Sequence, residues 1–207
     1  MGGERRKTEP AARPGRSAGT QDSPIRIVGG RMRGRKLTYS GDPRTRPMKD
    51  RVREAVFNLI GPEIKGKHAV DLFAGTGALG LEALSRGAAR ATLVERHFPT
   101  AKIAGENAAA LGVVEQTEVV TADTFLWARD QPTDTVAWAV FCSPPFDFYL
   151  ERAAEMIELI GSLIDRAPPQ SVVVVEADRR FDFETLPHPD RWDVRSYPPA
   201  VIGLLRI

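Results

Sequence analysis

From residue 68 onward, short apolar runs alternate with longer stretches in which apolar side chains recur every three or four positions. The short runs predict strands and the longer stretches predict helices. The predicted strands cover residues 68–73, 91–95, 118–122, 136–142, 171–177, 192–197 and 201–207. The predicted helices cover residues 76–86, 99–111, 124–129 and 148–166. This alternation predicts an α/β fold, with a seven-stranded, mostly parallel sheet that ends in an antiparallel hairpin.

The amino-terminal quarter of the chain has a different pattern. Apolar residues alternate with basic ones over residues 25–39, and Gly29-Gly30 divides them, which predicts a basic β-hairpin. A polar loop follows, and Pro47 suits the first turn of a helix that Gly61-Pro62 ends. We therefore divide the chain into a disordered basic tail (1–24), a basic hairpin and loop (25–46) and one α/β domain (47–207).

The charge is distributed unevenly along the chain. Residues 1–53 contain 15 Lys and Arg against 5 Asp and Glu, whereas residues 54–207 contain 14 against 22. A basic arm on an acidic body is typical of proteins that bind nucleic acid. The side chains expected to contact phosphates are those of Arg26, Arg31, Arg33, Arg35, Lys36, Arg46, Lys49 and Arg51.

Composition narrows the remaining possibilities. The chain has one cysteine, Cys142, which precludes an internal disulfide, and its three histidines are scattered. This spacing gives no reason to expect a metal. No apolar run approaches the ~20 residues that span a bilayer. We therefore expect a cytoplasmic, monomeric protein with neither a metal nor a membrane partner.

A glycine-rich loop follows the first predicted strand of the domain. Gly75, Gly77 and Gly80 fit G-x-G-x-x-G, a pattern that also occurs in nicotinamide dehydrogenases. Asp71 argues against a dinucleotide, because a carboxylate four residues before the first glycine would repel a pyrophosphate. The same carboxylate suits a cationic amino acid moiety. Asp71 with this loop resembles the first motif of the methyltransferases that use S-adenosylmethionine (AdoMet), and the resemblance implies AdoMet as the cofactor.

Two more acidic residues follow the ends of predicted strands. Glu95 lies 20 residues after Gly75 and can accept hydrogen bonds from a ribose diol. Asp123 resembles the adenine-binding acid of the AdoMet methyltransferases, or it can cap the helix that begins at Thr124, and both roles can hold at once. The predicted cofactor-binding residues are Asp71, Phe73, Gly75, Thr76, Gly77, Glu95, Arg96, Asp123 and Thr124.

Ser143-Pro144-Pro145-Phe146 follows the fourth predicted strand. It resembles the [DNS]-P-P-[YFW] motif of methyltransferases that act on planar amino groups. The lone pair of such an amine is delocalised into the ring. The enzyme must therefore accept hydrogen bonds from the two N–H groups, so that the lone pair can turn toward the methyl group. The first side chain and a proline carbonyl can accept them, and the aromatic ring can stack on the base. We therefore predict that these four residues form the catalytic loop.

A more specific resemblance covers residues 25–146. The sequences RIVGGRMRGRKL (26–37), RPMKDRVREAVFN (46–58) and DLFAGTGALGLEALSRG (71–87) are similar to those of the bacterial 16S rRNA guanine-N2 methyltransferases that modify guanine 966. The resemblance implies a Rossmann-like class I methyltransferase. It also implies AdoMet as the methyl donor and 16S ribosomal RNA in an assembling small subunit as the substrate.

The chain departs from that family at two places. The family usually has Asp where this chain has Ser143. The cytosine-N4 DNA methyltransferases have serine there, so a hydroxyl can serve in amino-group transfer, although it is a weaker acceptor than a carboxylate. Asp147 or Asp134 could compensate. Near the C-terminus, Tyr197-Pro198-Pro199 replaces the family's Tyr-Gly-x-Thr. The alternatives are a DNA amino methyltransferase, a non-catalytic ribosome-assembly factor and, more distantly, a dehydrogenase.

Overall fold

The computed structural model of the protein describes residues 25–39, 41, 48–129 and 135–207. Its sheet has seven strands in the order β3-β2-β1-β4-β5-β7-β6. Neighbours are parallel from β3 to β5, and β7 pairs antiparallel with both β5 and β6. The strands are β1 (His68–Asp71), β2 (Arg90–Val94), β3 (Thr117–Val120), β4 (Trp138–Cys142), β5 (Val172–Asp178), β6 (Asp193–Tyr197) and β7 (Ala200–Arg206). The predicted α/β fold with a C-terminal antiparallel hairpin is confirmed.

Within the described residues, six α-helices cover the two faces of this sheet. They are α1 (Asp50–Ile60), α2 (Ala78–Ser85), α3 (Phe98–Leu111), α4 (Thr124–Arg129), α5 (Phe148–Glu151) and α6 (Ala153–Arg166). One core lies between the sheet and α1, α2 and α3, and a second core lies between the sheet and α4, α5 and α6. The middle positions of the central strands β1 and β4 are apolar because side chains on both of their faces are buried.

The predicted helix over residues 148–166 is two helices in the structure. Arg152 separates them, with φ −131° and ψ 34°. Its guanidinium donates two hydrogen bonds to Glu155, of 2.9 and 2.7 Å, and lies 3.9 Å from the ring centroid of Phe125. These contacts accompany the break, which apolar periodicity alone does not reveal. The helix predicted from Pro47 begins at Asp50, and Pro47 lies outside the described residues.

Residues 25–39, which we call the basic segment, form a looser hairpin than predicted. Its arms run antiparallel, and Leu37 N–H donates to the Ile25 carbonyl at 2.8 Å. The pairing is one bridge, Arg26 to Lys36, and the turn contains a 3-10 helix over Gly30–Met32. Ile25, Ile27, Met32 and Leu37 are buried in the core of α1, α2 and α3. The basic segment is therefore packed onto the α/β domain.

Candidate active site

The carboxyl ends of β1, β2 and β4 meet at one edge of the sheet, where open α/β sheets bind ligands. We call this edge the cofactor edge. Asp71 closes β1 there and is 1% exposed. Its Oδ2 accepts a hydrogen bond of 3.0 Å from Gly80 N–H, while Oδ1 has no partner among the described residues. Burial raises the pKa of Asp71 to about 7, and the charge of Glu95 acts in the same direction.

The glycines of the loop after β1 bring α2 close to the sheet. Gly77 has φ 86°, a left-handed conformation that favours glycine. A Cβ on Gly80 would overlap Cδ2 of Leu93 on β2. Gly80 is thus required for packing, whereas the Gly75 N–H is bonded to Glu95 and the Thr76 carbonyl to Asn107.

Glu95 follows β2 and is half-buried. Its Oε2 accepts a 2.9 Å hydrogen bond from Gly75 N–H, and its Oε1 accepts a 2.8 Å bond from His97 N–H. Each carboxylate oxygen has a second lone pair. Glu95 therefore fixes the glycine loop and keeps acceptor capacity for the ribose that the sequence predicts there.

Asp123 and Thr124 both have structural roles at the start of α4. Oδ1 of Asp123 accepts from Phe125 N–H at 2.9 Å, so the capping alternative is realised. The Thr124 hydroxyl is buried and donates to the Leu72 carbonyl at the end of β1. Adenine binding by Asp123 remains compatible with this cap and stays a prediction.

The predicted residues Phe73 and Arg96 belong to an aromatic cluster beside Asp123. The ring centroid of Phe73 lies 6.1 Å from those of both Phe125 and Phe148, with edge-on geometry. The Arg96 guanidinium lies 5.9 Å from the Phe148 ring centroid. This cluster gives the cofactor edge an apolar wall between β1 and α5.

The Ser143–Phe146 loop follows β4, whose strand neighbours are β1 and β5. Pro144 is buried, Phe146 is half-buried and packs against the core of α1, α2 and α3, and Pro145 is exposed. Burial raises the pKa of the preceding Cys142 thiol to about 12, which makes it a neutral core residue rather than a nucleophile. The loop thus adjoins Asp71 at the cofactor edge.

Glu176 is a residue of this site that the sequence prediction missed. The Ser143 hydroxyl donates a hydrogen bond to Oε2 of Glu176, which is 7% exposed. Of the two acids expected to support Ser143, Asp147 instead pairs with Arg180 at 2.9 Å and Asp134 lies outside the described residues. A buried acid directly after the apolar run Val172–Val175 was the available signal.

Buried polar side chains fasten the basic segment to the domain. Glu82 on α2 is fully buried and accepts from Val28 N–H at 2.7 Å, Gly29 N–H at 2.8 Å and the Arg86 guanidinium at 2.7 Å. Arg53 on α1 is also fully buried, 3.7 Å from Glu82. Its guanidinium donates to the Met48 carbonyl at 3.0 Å and to the Arg26 carbonyl.

Asn107 on α3 connects the basic segment to the glycine-rich loop after β1. Its amide oxygen accepts from Thr38 N–H at 2.8 Å. Its amide nitrogen donates to the Thr38 and Thr76 carbonyls, both at 3.0 Å. One buried side chain therefore positions both segments.

The predicted RNA-binding residues fall into three groups. Arg26 pairs with Asp50 at 3.0 Å, Arg31 donates to Gln116 at 2.6 Å, and Arg35 donates to the Ala110 carbonyl at 2.5 Å. Among the described residues, no hydrogen bond or ion pair engages the exposed side chains of Arg33, Lys36, Lys49 and Arg51. Arg46 lies outside the described residues.

The described residues contain no group of three His, Cys, Asp or Glu side chains arranged to hold a metal ion. None of their helices is long and apolar enough to cross a membrane.

A parallel sheet in this order, closed by an antiparallel β7 between β5 and β6, defines the Rossmann-like methyltransferase class. Within that class, the chain belongs to the family described as "Conserved hypothetical protein 95", whose sequence pattern matches residues 25–196. The family resemblance drawn from the sequence motifs is therefore confirmed.

Three known proteins illustrate the relationship. Ribosomal RNA small subunit methyltransferase D of Escherichia coli K12 is 40% identical over 165 residues, 79% of each chain. The solved structure of the putative methyltransferase yhhF from Escherichia coli matches 88% of this chain and 97% of its own, with a TM-score of 0.73 and 33% identity. An RNA methyltransferase from Salinibacter ruber, solved with S-adenosyl-L-homocysteine, shares the fold at 19% identity, covering 77% and 92% of the two chains with a TM-score of 0.58.

Proposed function

We propose that this protein transfers a methyl group from AdoMet to the exocyclic N2 of a guanine in small-subunit (16S) ribosomal RNA. The observation that carries the proposal is the Ser143–Phe146 loop at the end of β4, beside Asp71 at the end of β1. The printed name of the Escherichia coli relative, a small-subunit rRNA methyltransferase, supports the substrate. RNA in an assembling small subunit is the proposed form of that substrate.

The residues of the cofactor edge fit AdoMet. The unpartnered Oδ1 of buried Asp71 can accept from a cationic amine, and Glu95 keeps lone pairs for ribose hydroxyls. Asp123 and the aromatic cluster around Phe73 suit the adenine. When bound, AdoMet supplies an electrophilic methyl group on a sulfonium.

The remaining roles belong to the catalytic loop and the basic residues. Ser143 Oγ and the Pro144 carbonyl accept hydrogen bonds from the N–H groups of the amine, and Phe146 stacks on the base. The side chains that we assign to RNA phosphates are Arg26, Arg31, Arg33, Arg35, Lys36, Arg46, Lys49 and Arg51. The net charge of +10 over residues 1–53 supports this assignment.

Cofactor identity is tested by calorimetry. Glu95→Ala should weaken AdoMet binding by about 1.5–3 kcal/mol, because it removes acceptors from the ribose and loosens the loop at Gly75. NADH should show no binding to either protein. Unchanged AdoMet affinity in the variant, or tight NADH binding, would defeat the assignment.

The reaction is tested by incubating the protein with labelled AdoMet and small-subunit precursor particles that lack the modification. Mass spectrometry of the digested RNA should find N2-methylguanine at one position. Phe146→Ala should reduce RNA binding and turnover together, because stacking holds the flipped base. Methylated cytosine or adenine in duplex DNA would instead indicate a DNA amino methyltransferase. AdoMet binding without transfer to any particle would indicate a non-catalytic assembly factor.

A further inference from the structure

Ser143 and Glu176 are neighbours because β4 and β5 are parallel, with Cys142 opposite Val175. The hydroxyl donates to Oε2 of Glu176, and among the described residues it is the carboxylate's only hydrogen-bond partner. Burying a carboxylate without a cationic partner is costly. Glu176 lacks a salt bridge within the described part of the chain, so its position calls for a functional reason.

The direction of this hydrogen bond changes what Ser143 can do. Because its proton is directed to Glu176, the Ser143 oxygen keeps its lone pairs for another donor. A hydrogen bond to a carboxylate is also charge-assisted and polarises the hydroxyl. Ser143 with Glu176 therefore supplies a stronger acceptor than an isolated serine does.

We propose that Ser143 and Glu176 act as one unit in methyl transfer, with Ser143 as the catalytic acceptor of the guanine amine and Glu176 as the positioning residue that takes up the proton. This rests on the proposed function. As the N2–C bond forms and the C–S bond breaks, the sulfonium becomes a neutral sulfide and N2 becomes cationic. N2 then gives one proton to Ser143 Oγ while the Ser143 hydroxyl proton passes to Glu176.

The surroundings of Glu176 support a proton-accepting role. Burial raises its pKa, and the bond from Ser143 lowers it. A carboxylate with a raised pKa accepts a proton more readily near neutral pH. The neighbouring phenol of Tyr149 and thiol of Cys142 have raised pKa values and remain neutral. The other charged or titratable groups nearby are Asp71 on β1, Asp178 at the end of β5, Arg180 after it, and Asp147, which pairs with Arg180.

The test is single-turnover transfer to precursor particles at saturating AdoMet. Glu176→Gln should slow transfer roughly a hundredfold, on the scale of a lost general base, with AdoMet affinity unchanged. The wild-type rate should fall as the pH drops through the pKa of Glu176, and E176Q should lose this dependence. Exposed Glu184 provides the matched control, and Glu184→Gln should transfer at the wild-type rate.

A second substitution separates this role from a structural one. Ser143→Asp supplies a carboxylate directly to the amine, so S143D combined with E176Q should transfer at least tenfold faster than E176Q alone. The S143D substitution is better tested in that background than alone, because two adjacent buried carboxylates repel each other. A merely structural Glu176 would give no such rescue.

A titration gives a readout independent of activity. Carbon-13 NMR of labelled glutamates should show a higher Glu176 pKa in Ser143→Ala, because the variant removes the bond that lowers it. If the Glu176 pKa is the same in S143A as in wild type, or if E176Q transfers as fast as wild type, Ser143 and Glu176 do not act as one unit, and the proposed function still stands. Wild type that binds AdoMet and never transfers overturns both. If E176Q fails to fold, S143A still decides by rate and titration.

Discussion

Glu82, on α2, and Asp71, which accepts a hydrogen bond from α2, both have buried carboxylates, yet the surroundings of the two differ. Glu82, in the attachment of the basic segment, receives hydrogen bonds from two backbone N–H groups and Arg86, with Arg53 nearby. Asp71, at the cofactor edge, accepts a hydrogen bond from Gly80 N–H, and the Phe73 N–H also lowers its pKa, but its Oδ1 has no partner with hydrogen-bond geometry among the described residues. A satisfied buried charge holds the fold together, whereas an unsatisfied one indicates a ligand site.

The largest effect expected from this comparison is on stability. Glu82→Gln should lower the free energy of unfolding by about 3–5 kcal/mol, because it removes the buried carboxylate charge shared by Arg53 and Arg86 and leaves Arg53 with Asp50 alone, at 2.8 Å. Urea denaturation measures this. Glu54→Gln, at an exposed position on the neighbouring α1, should change stability by less than about 0.5 kcal/mol. Equal stability of the two variants would mean that the buried pair does not hold the basic segment.

Asp71→Asn should have the opposite profile. AdoMet affinity should fall by about 1.5–3 kcal/mol, because the cationic amine loses a charged acceptor. The free energy of unfolding should not fall, because the variant removes a poorly solvated charge. Calorimetry and urea denaturation measure the two quantities, with exposed Asp165→Asn as the control. If the Asp71→Asn protein binds AdoMet normally, Oδ1 of Asp71 does not bind the cationic amine.

The raised pKa of Asp71 predicts how the free energy of unfolding and the AdoMet affinity change with pH. Because folding raises the pKa from 3.8 to about 7, the folded state holds a proton that the unfolded state has lost. The contribution of Asp71 to the free energy of unfolding should therefore decrease as pH rises from about 4 to 7. AdoMet affinity should increase over pH values around 7, as the ionised form appears. Asp71→Asn should remove both dependences.

Asn107 lies between the two regions, and its effect should be intermediate. Asn107→Leu leaves the Thr38 N–H and carbonyl and the Thr76 carbonyl without this partner. The free energy of unfolding should fall by about 1–3 kcal/mol. AdoMet affinity should fall slightly, because Thr76 lies in the glycine-rich loop after β1. Amide exchange at Thr38 should accelerate. Asn58→Leu, at an exposed position, is the control. An equal fall in its free energy of unfolding would mean that Asn107 does not link the two regions.

The sequence predicted the fold well because apolar strands and amphipathic helices leave local patterns. It also placed Asp71, Glu95 and Ser143 at strand ends, which the structure brings to one edge. It missed the break at Arg152, where the side chain contacts Glu155 and the Phe125 ring. It missed Glu176, because the partnership with Ser143 arises from the pairing of β4 and β5, 33 residues apart.

The smallest effect concerns exposed charges of the basic segment. Arg33→Ala and Lys36→Ala should each weaken binding to small-subunit RNA modestly and reduce the slope of log affinity against log salt by about 1, as each releases fewer counterions. Neither should alter stability beyond about 0.5 kcal/mol, since both side chains are exposed.

Point substitutions are the correct form of this test. Deleting residues 1–39 would also remove the partners of Glu82 and expose the core around Ile27 and Leu37, so lost RNA binding would have two causes. Lys102→Ala, on the exposed face of α3, controls for a general loss of positive charge. If it flattens the salt slope as much as Arg33→Ala and Lys36→Ala do, attraction comes from overall charge and the basic segment has no dedicated phosphate contacts.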